Sequence, residues 1–168
     1  HTAGGEAGPA KFKVTAQAEI DLEPSDLGFH PSTVTAGEEA KISFKVTNLG
    51  STGSSPHEIQ ILLSPDGSAA NQTVVAKVQD NDSVEGQEFE FRNYSVLIPE
   101  SLDHKVGSYK IGVYLNADNA IGNEKNKNNN LVWSDTTLTV LDPKGGCYED
   151  SFDDGQDNNT AANAAVLP

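Results

Sequence analysis

The chain of 168 residues has no methionine, one cysteine, one tryptophan and one arginine, and each scarcity excludes something. Without a methionine even at position 1, the segment is expected to begin inside a longer precursor, behind a removed signal peptide or an expression scar, with His1 as the remnant. The single cysteine, Cys147, cannot staple the fold internally. It follows Gly145 and Gly146 and reads either as a free thiol or as a partner for a cysteine beyond the segment. No apolar run approaches the length that crosses a bilayer, so the segment is expected to be soluble, with any membrane attachment outside it. Bases are few: 11 against 25 acids, for a formal charge of -14. Such a surface repels phosphate backbones and anionic lipid, which excludes nucleic acid as a partner and leaves divalent cations and basic partners. Acidity also keeps an exported protein soluble.

Catalytic motifs are missing as well. The histidines are His1, His30, His57 and His104, and none forms the His-x-x-x-His pair of a zinc site. There is no Gly-x-Ser-x-Gly nucleophile elbow and no glycine loop ending in Lys-Ser or Lys-Thr. Glu58 follows His57 and Asp103 precedes His104, but adjacent strand positions face opposite ways, so all four read as surface residues. Acids are so widespread that nothing selects one pair for glycoside hydrolysis. An enzyme is not expected.

What is present is alternation. Phe12, Val14, Ala16, Ala18, Ile20 and Leu22 alternate with polar residues, which predicts a strand over this stretch. After Ala36-Gly37, the residues Ala40, Ile42, Phe44 and Val46 point one way and Lys41, Ser43, Lys45 and Thr47 the other. Ile59, Ile61 and Leu63 mark a strand that stops at Pro65-Asp66-Gly67, where Pro presets φ and Gly accepts positive φ. Val74, Val75 and Val78 suggest a short strand; Phe89 and Phe91, then Val96 and Ile98, suggest a longer one. Tyr109, Ile111, Val113 and Leu115 alternate cleanly. The last strand carries Leu131 and Trp133, then Leu138 and Val140, and its change of parity predicts a bulge or bend near Ser134–Thr136. No stretch shows a sustained helical period. The pattern describes an all-β fold, an immunoglobulin- or fibronectin-like antiparallel sandwich of roughly seven to eight strands. Lys41, Lys45 and Lys110 would protect sheet edges. Trp133, alternating with Leu131, is expected in the core.

Three stretches together resemble the bacterial and archaeal cell-adhesion-related domain called CARDB. They are HPSTVTAGEEAKISFKVTNLGSTGSS (30–55), IQILLSPDG (59–67) and VGSYKIGVYLNADNAIGNEKNKNNNLV (106–132). The matching features are Pro31, Gly37, the alternating 40–47, Asn48 with Gly50, then Gly107, Tyr109, Asp118, Glu124 and Asn128 to Asn130. The resemblance covers roughly residues 20–141 and departs at Lys125 and Lys127, where the family often has a second acid. It implies an immunoglobulin-like module of exported proteins, a spacer or adhesive unit beside other extracellular domains, without catalytic residues.

Residues 1–10 are small, Gly-rich and aperiodic, and read as an arm; 11–142 form the sandwich; 143–168 read as an acidic linker or the edge of a following domain. That tail, through Tyr148, Glu149, Asp150, Asn158, Asn159, Thr160 and the following alanines, resembles the opening of a bacterial pre-peptidase C-terminal domain. Calcium takes about six to eight oxygens. The candidate ligands are Asp150, Asp153, Asp154 and Asp157 with Asn158 in the tail, and Asp118, Asn119 and Glu124 in the Asn-rich connection 116–130. A solvated linker and a loop held by Asn side chains are the structural alternatives. Sequons stand at Asn71, Asn81, Asn93 and Asn158. The functional expectation is a non-catalytic adhesion or spacer module of a secreted or surface protein, whose partners are neighbouring domains or surface proteins. The alternatives are a subunit of a surface layer or filament, self-associating through its N-terminal arm, and a carbohydrate-binding sandwich using Trp133, Tyr94 or Tyr114.

Overall fold

The structure, a computed structural model, describes residues 17–102 and 106–143. The arm at 1–10, His104, Cys147, the sequon at Asn158 and the tail aspartates lie outside the described residues. The described residues form nine strands: β1 (Leu22–His30), β2 (Thr33–Thr35), β3 (Glu39–Asn48), β4 (His57–Ser64), β5 (Thr73–Asp80), β6 (Phe89–Leu97), β7 (Gly107–Tyr114), β8 (Leu131–Trp133) and β9 (Leu138–Leu141). One sheet has the order β1-β3-β6; the other runs β2-β9-β7-β4-β5, with β8 also on β7. The pairs are antiparallel except β2–β9, which is parallel. The fold is an all-β, immunoglobulin-like sandwich.

The alternating runs supply its core. From β3 come Ala40, Ile42, Phe44 and Val46, and from β7 Tyr109, Ile111 and Val113, all buried between the sheets with Ile59, Ile61 and Leu63 of β4. Most of their outward neighbours are exposed or half-buried, because successive side chains of a strand point to opposite faces, while Leu62, Ser64 and Gly112 are covered on the outer side. The parity change after Trp133 is a real break: β8 ends there and β9 begins at Leu138. Ser134 fills the gap, its hydroxyl accepting from Ile111 N at 3.0 Å and donating to Thr136 O at 2.7 Å.

Several expectations are corrected. Among residues 17–21 there is no strand, and the first strand of the described residues starts at Leu22; residues 12–16 of the expected strand lie outside them. The backbone of this stretch is spent on loops: Glu19 O accepts from Ser51 N (2.8 Å) and Thr52 N (3.1 Å), Ile20 O from Lys125 N (2.8 Å) and Asp21 O from Leu49 N (2.7 Å). Ile20 and Leu22 nonetheless keep the inward phase. The strand that does form, β1, contains Pro24 and Gly28 and was therefore not legible. It tolerates Pro24 because it is an edge strand, where a missing N–H costs no ladder bond, and its register shifts between Ser25 and Gly28. Lys41, Lys45 and Lys110 lie on β3 and β7, which are interior strands, so they guard no edge.

Trp133 is also not a core residue. It is half-buried and lies opposite Gly112, outside the sandwich, where a Cβ on Gly112 would meet the indole ring at 2.7 Å. Gly112 is thus a seat for the ring, and strand alternation cannot distinguish that from burial between sheets.

Phe44 is wholly buried at the centre of β3, with Tyr94 tilted against it at 6.0 Å between ring centroids. Phe44→Ala is expected to cost about 3–5 kcal/mol. The check is the unfolding midpoint in urea at unchanged m-value.

Candidate functional site

The buried polar residues gather at one end of the sandwich, where residues 19–22 pass between the 48–54 turn and the 115–130 connection. Glu124 is 7% exposed, and both its oxygens are engaged. Oε1 accepts from Leu22 N at 2.9 Å; Oε2 accepts from Asn116 Nδ2 and Asn130 Nδ2, each at 2.7 Å. Asn116 closes the loop on itself, donating to Ile121 O (3.1 Å) and accepting from Ile121 N (2.9 Å). Around this centre Asn129 Nδ2 reaches Asp21 Oδ1 at 3.0 Å, and Lys125 pairs with Glu19 at 2.8 Å. Lys125, a departure from the family pattern, therefore clamps the incoming chain.

Asn48 plays the same part in the adjacent turn. It is fully buried, its Oδ1 accepting from Asp21 N (3.3 Å) and Gly50 N (3.0 Å) and its Nδ2 donating to Thr52 O (2.7 Å) and Val84 O (2.9 Å). Gly50 follows from the close approach of residues 19–20, since a Cβ there would stand 2.2 Å from Glu19 O. The Asn-x-Gly signature is thus a loop clamp.

The cation candidates are distributed accordingly. Asp118 and Glu124 do not converge on a third acid, and among the described residues no three His, Cys, Asp or Glu side chains could share a metal. Asp118 Oδ1 accepts from Glu58 N (3.1 Å) and Ala120 N (3.2 Å). Desolvation pushes its carboxyl up, but these N–H groups outweigh that and hold it below the usual carboxylate range. Asn119 accepts from Lys127 through its side-chain oxygen. Glu124 accepts from three N–H donors, which gives it a loop-holding part of its own. Asp150, Asp153, Asp154 and Asp157 lie outside the described residues.

His57 and Arg92 were missed by sequence reasoning. His57, expected at the surface, is fully buried: it opens β4 on the face that carries Ile59 and Ile61. Its Nδ1 lies 3.0 Å from Ser55 O, and Nε2 has no partner among the described residues. Arg92, the one arginine, is buried on β6 and donates from Nε to Asp80 Oδ2 of β5 at 2.9 Å, which joins the two sheets. A buried site suits arginine, whose planar guanidinium presents several donors and stays charged. The solitary arginine in a chain rich in lysine was the available signal.

Two surface features face solvent on the three-stranded sheet. One is an open depression of about 460 Å³ that includes Phe29, His30, Lys41, Ser43, Asn93 and Ser95 in its lining. The other is the pair Phe89 and Phe91 on β6, 55% and 59% exposed, edge to face at 5.9 Å, with Lys45 Nζ 5.6 Å from the Phe89 ring centre. Of the aromatic candidates for a sugar platform, Tyr94 packs inward on Phe44, and Trp133 and Tyr114 are half-buried.

A sequence model of the CARDB family matches residues 19–133. No curated protein matches the chain. Among solved structures, the chain is similar to the CARDB domain of a Pyrococcus furiosus protein, crystallised in complex with di-metal ions. The identity is 19% over 76% of this chain and 99% of that one, at a TM-score of 0.52. It is also similar to a domain of a Methanosarcina acetivorans protein whose name assigns it to the cell surface, at 22% identity over 73% of this chain and 93% of that one, TM-score 0.51.

Glu124→Ala would strand three buried donors at once. Its expected cost is about 3–5 kcal/mol, against about 1 kcal/mol or less for the exposed partner in Lys125→Ala. Equilibrium unfolding of the two variants measures the contrast.

Proposed function

The chain belongs to the CARDB family, a cell-adhesion-related group whose domains occur in surface-associated proteins, and on that premise we propose that it is a non-catalytic adhesion or spacer module of a larger extracellular protein. The observation that carries this reading is the path of the chain. Leu22 opens β1 opposite Asn48, at the last residue of β3. Leu141 closes β9 opposite Thr35, and Leu141 O accepts from Ala36 N at 2.9 Å, beside the first residues of β3. The polypeptide therefore enters at one end of the sandwich and leaves at the other, separated by the length of β3, roughly 33 Å for a strand of that size. Domains attached to the two ends would be held apart in line, which is the geometry of a stalk.

The chemistry of the described residues agrees. The buried polar groups are tied into loops and sheet joins, and the surface charge favours solubility over contact with nucleic acid or anionic lipid. No helix among the described residues is long and apolar enough to cross a membrane. The partners in this reading are neighbouring domains of the same polypeptide and other surface proteins. Calcium would have to use the acidic tail.

The spacer reading is tested by pulsed electron–electron resonance between spin labels at Ala18→Cys and Leu141→Cys in a Cys147→Ser background. A narrow distribution above about 30 Å is expected from the length of β3. A distance under about 20 Å, which would fold neighbouring domains back beside one another, would sink the idea.

The depression on the three-stranded sheet favours a second reading, a carbohydrate-binding accessory. His30, Lys41, Ser43, Asn93 and Ser95 line it with polar heads, and its lining includes no carboxylate, in a chain with 25 acids. A glycan array checks it: hits abolished by Asn93→Ala support a sugar site there, and a blank array removes it.

A further inference from the structure

β6 is the outermost strand of its sheet, so the backbone groups on its far side are unpaired within the sheet. Natural edges are commonly blunted by charge, bulges or proline, yet this one carries Phe89, Phe91 and Leu97 in the open, 55%, 59% and 55% exposed. Around them it is acidic, reading Glu88-Phe89-Glu90-Phe91. The chain contains a segment with the complementary pattern, Lys11-Phe12-Lys13-Val14, whose alternation predicts a strand and which lies outside the described residues. In a chain with 25 acids and 11 bases, a lysine-alternating strand of this kind is a selective complement to a glutamate-alternating edge.

The route of the chain brings the two together. Glu19 O accepts from Ser51 N at 2.8 Å, and Ser51 in turn lies against Gly86, where a Cβ would meet its carbonyl carbon at 2.4 Å. Gln87 donates to Leu49 O (2.6 Å) and Gly50 O (2.7 Å) in the same turn. Glu19 and the segment that leads into β6 therefore grip the same 49–52 turn, so the chain N-terminal to residue 17 sets out within a few residues' reach of the open edge. Running from there it would lie antiparallel to β6.

We propose that the free edge of β6 is a strand-acceptor site whose occupant is residues 11–16 of the same chain, in the register Lys13 opposite Glu88, Phe12 opposite Phe89 and Lys11 opposite Glu90. Residues directly opposite in an antiparallel pair share a face. This register puts Phe12 beside the two phenylalanines on the outer face and each lysine across from a glutamate. The short tether favours an intrachain occupant over a second molecule through its high effective concentration. The resulting strand would close an edge that otherwise invites pairing with foreign chains. This inference does not rest on the spacer reading; with the segment docked, a preceding domain would project from Lys11, opposite Glu90, rather than from the Asn48 end.

The experiment is amide hydrogen exchange, read by NMR on the whole 168-residue chain at two concentrations with sedimentation velocity alongside. Residues 12–15 are expected to be protected in a concentration-independent way in a monomer. Phe12→Ser should lower that protection about tenfold and Lys13→Glu about threefold, and Lys13→Glu with Glu88→Lys should restore it. Unaltered protection of the β3 amides will show that each variant stays folded. Exchange of residues 12–15 at the unstructured rate in the native sequence overturns the proposal. Indifference to both substitutions, failure of the charge swap to rescue, or protection that grows with concentration alongside a dimer does the same.

Discussion

The buried carboxylate of Glu124 is the interaction on which the end of the sandwich depends. A carboxylate out of water is costly unless its oxygens meet donors. Here three N–H groups supply them, from Leu22 at the start of β1, Asn116 after β7 and Asn130 before β8. The donors come from places far apart in sequence, so satisfying one charge fixes where the first strand begins and how the long connection folds. Bonds to an ionised acceptor are stronger than neutral ones, which suits a loop with little apolar surface to bury.

Asn48 repeats the arrangement without a charge, and Asp21–Leu22 lies between the two. The entering chain is gripped on one side by the Asn-x-Gly turn and on the other by the Asn-rich loop. At the other pole of the energetics, Arg92 and Asp80 bridge the sheets from within, a pair whose value lies as much in specifying how β5 and β6 meet as in net stability. Asp118 and Glu124, which read in the sequence as candidate ligands, both accept from N–H groups that hold the loops. In the proposed spacer, the gripped entry point at one end and β9 at the other would set the direction in which neighbouring domains project.

The core was legible because it obeys a period of two: every residue named from Ala40 to Val46 on the even phase, and from Tyr109 to Leu115 on the odd phase, is buried. The three stretches that resembled CARDB, 30–55, 59–67 and 106–132, all fall within the matched span 19–133. Of the strand expected over 12–22, residues 17–21 are spent on loop contacts, and the described strand that pairs with β3 is Leu22–His30, in spite of Pro24 and Gly28. His57 and Trp133 were misassigned because a strand pattern states which side a residue takes and not what covers that side. His57 opens β4 beneath the end of the sandwich, and Trp133 found a seat on Gly112.

The sequence by itself determined the class of fold, the inward faces of β3, β4 and β7, the break at Ser134 and the family, since each follows from local alternation, turn chemistry or motif order. The tertiary structure decided what the polar residues do and which surfaces remain open. Whether an acid is a ligand or a loop clamp, whether a histidine is wet or buried, and whether a pair of phenylalanines is core or exposed edge depend on groups tens of residues away. Such pairings arise when strands find their neighbours, and no single stretch of chain encodes them.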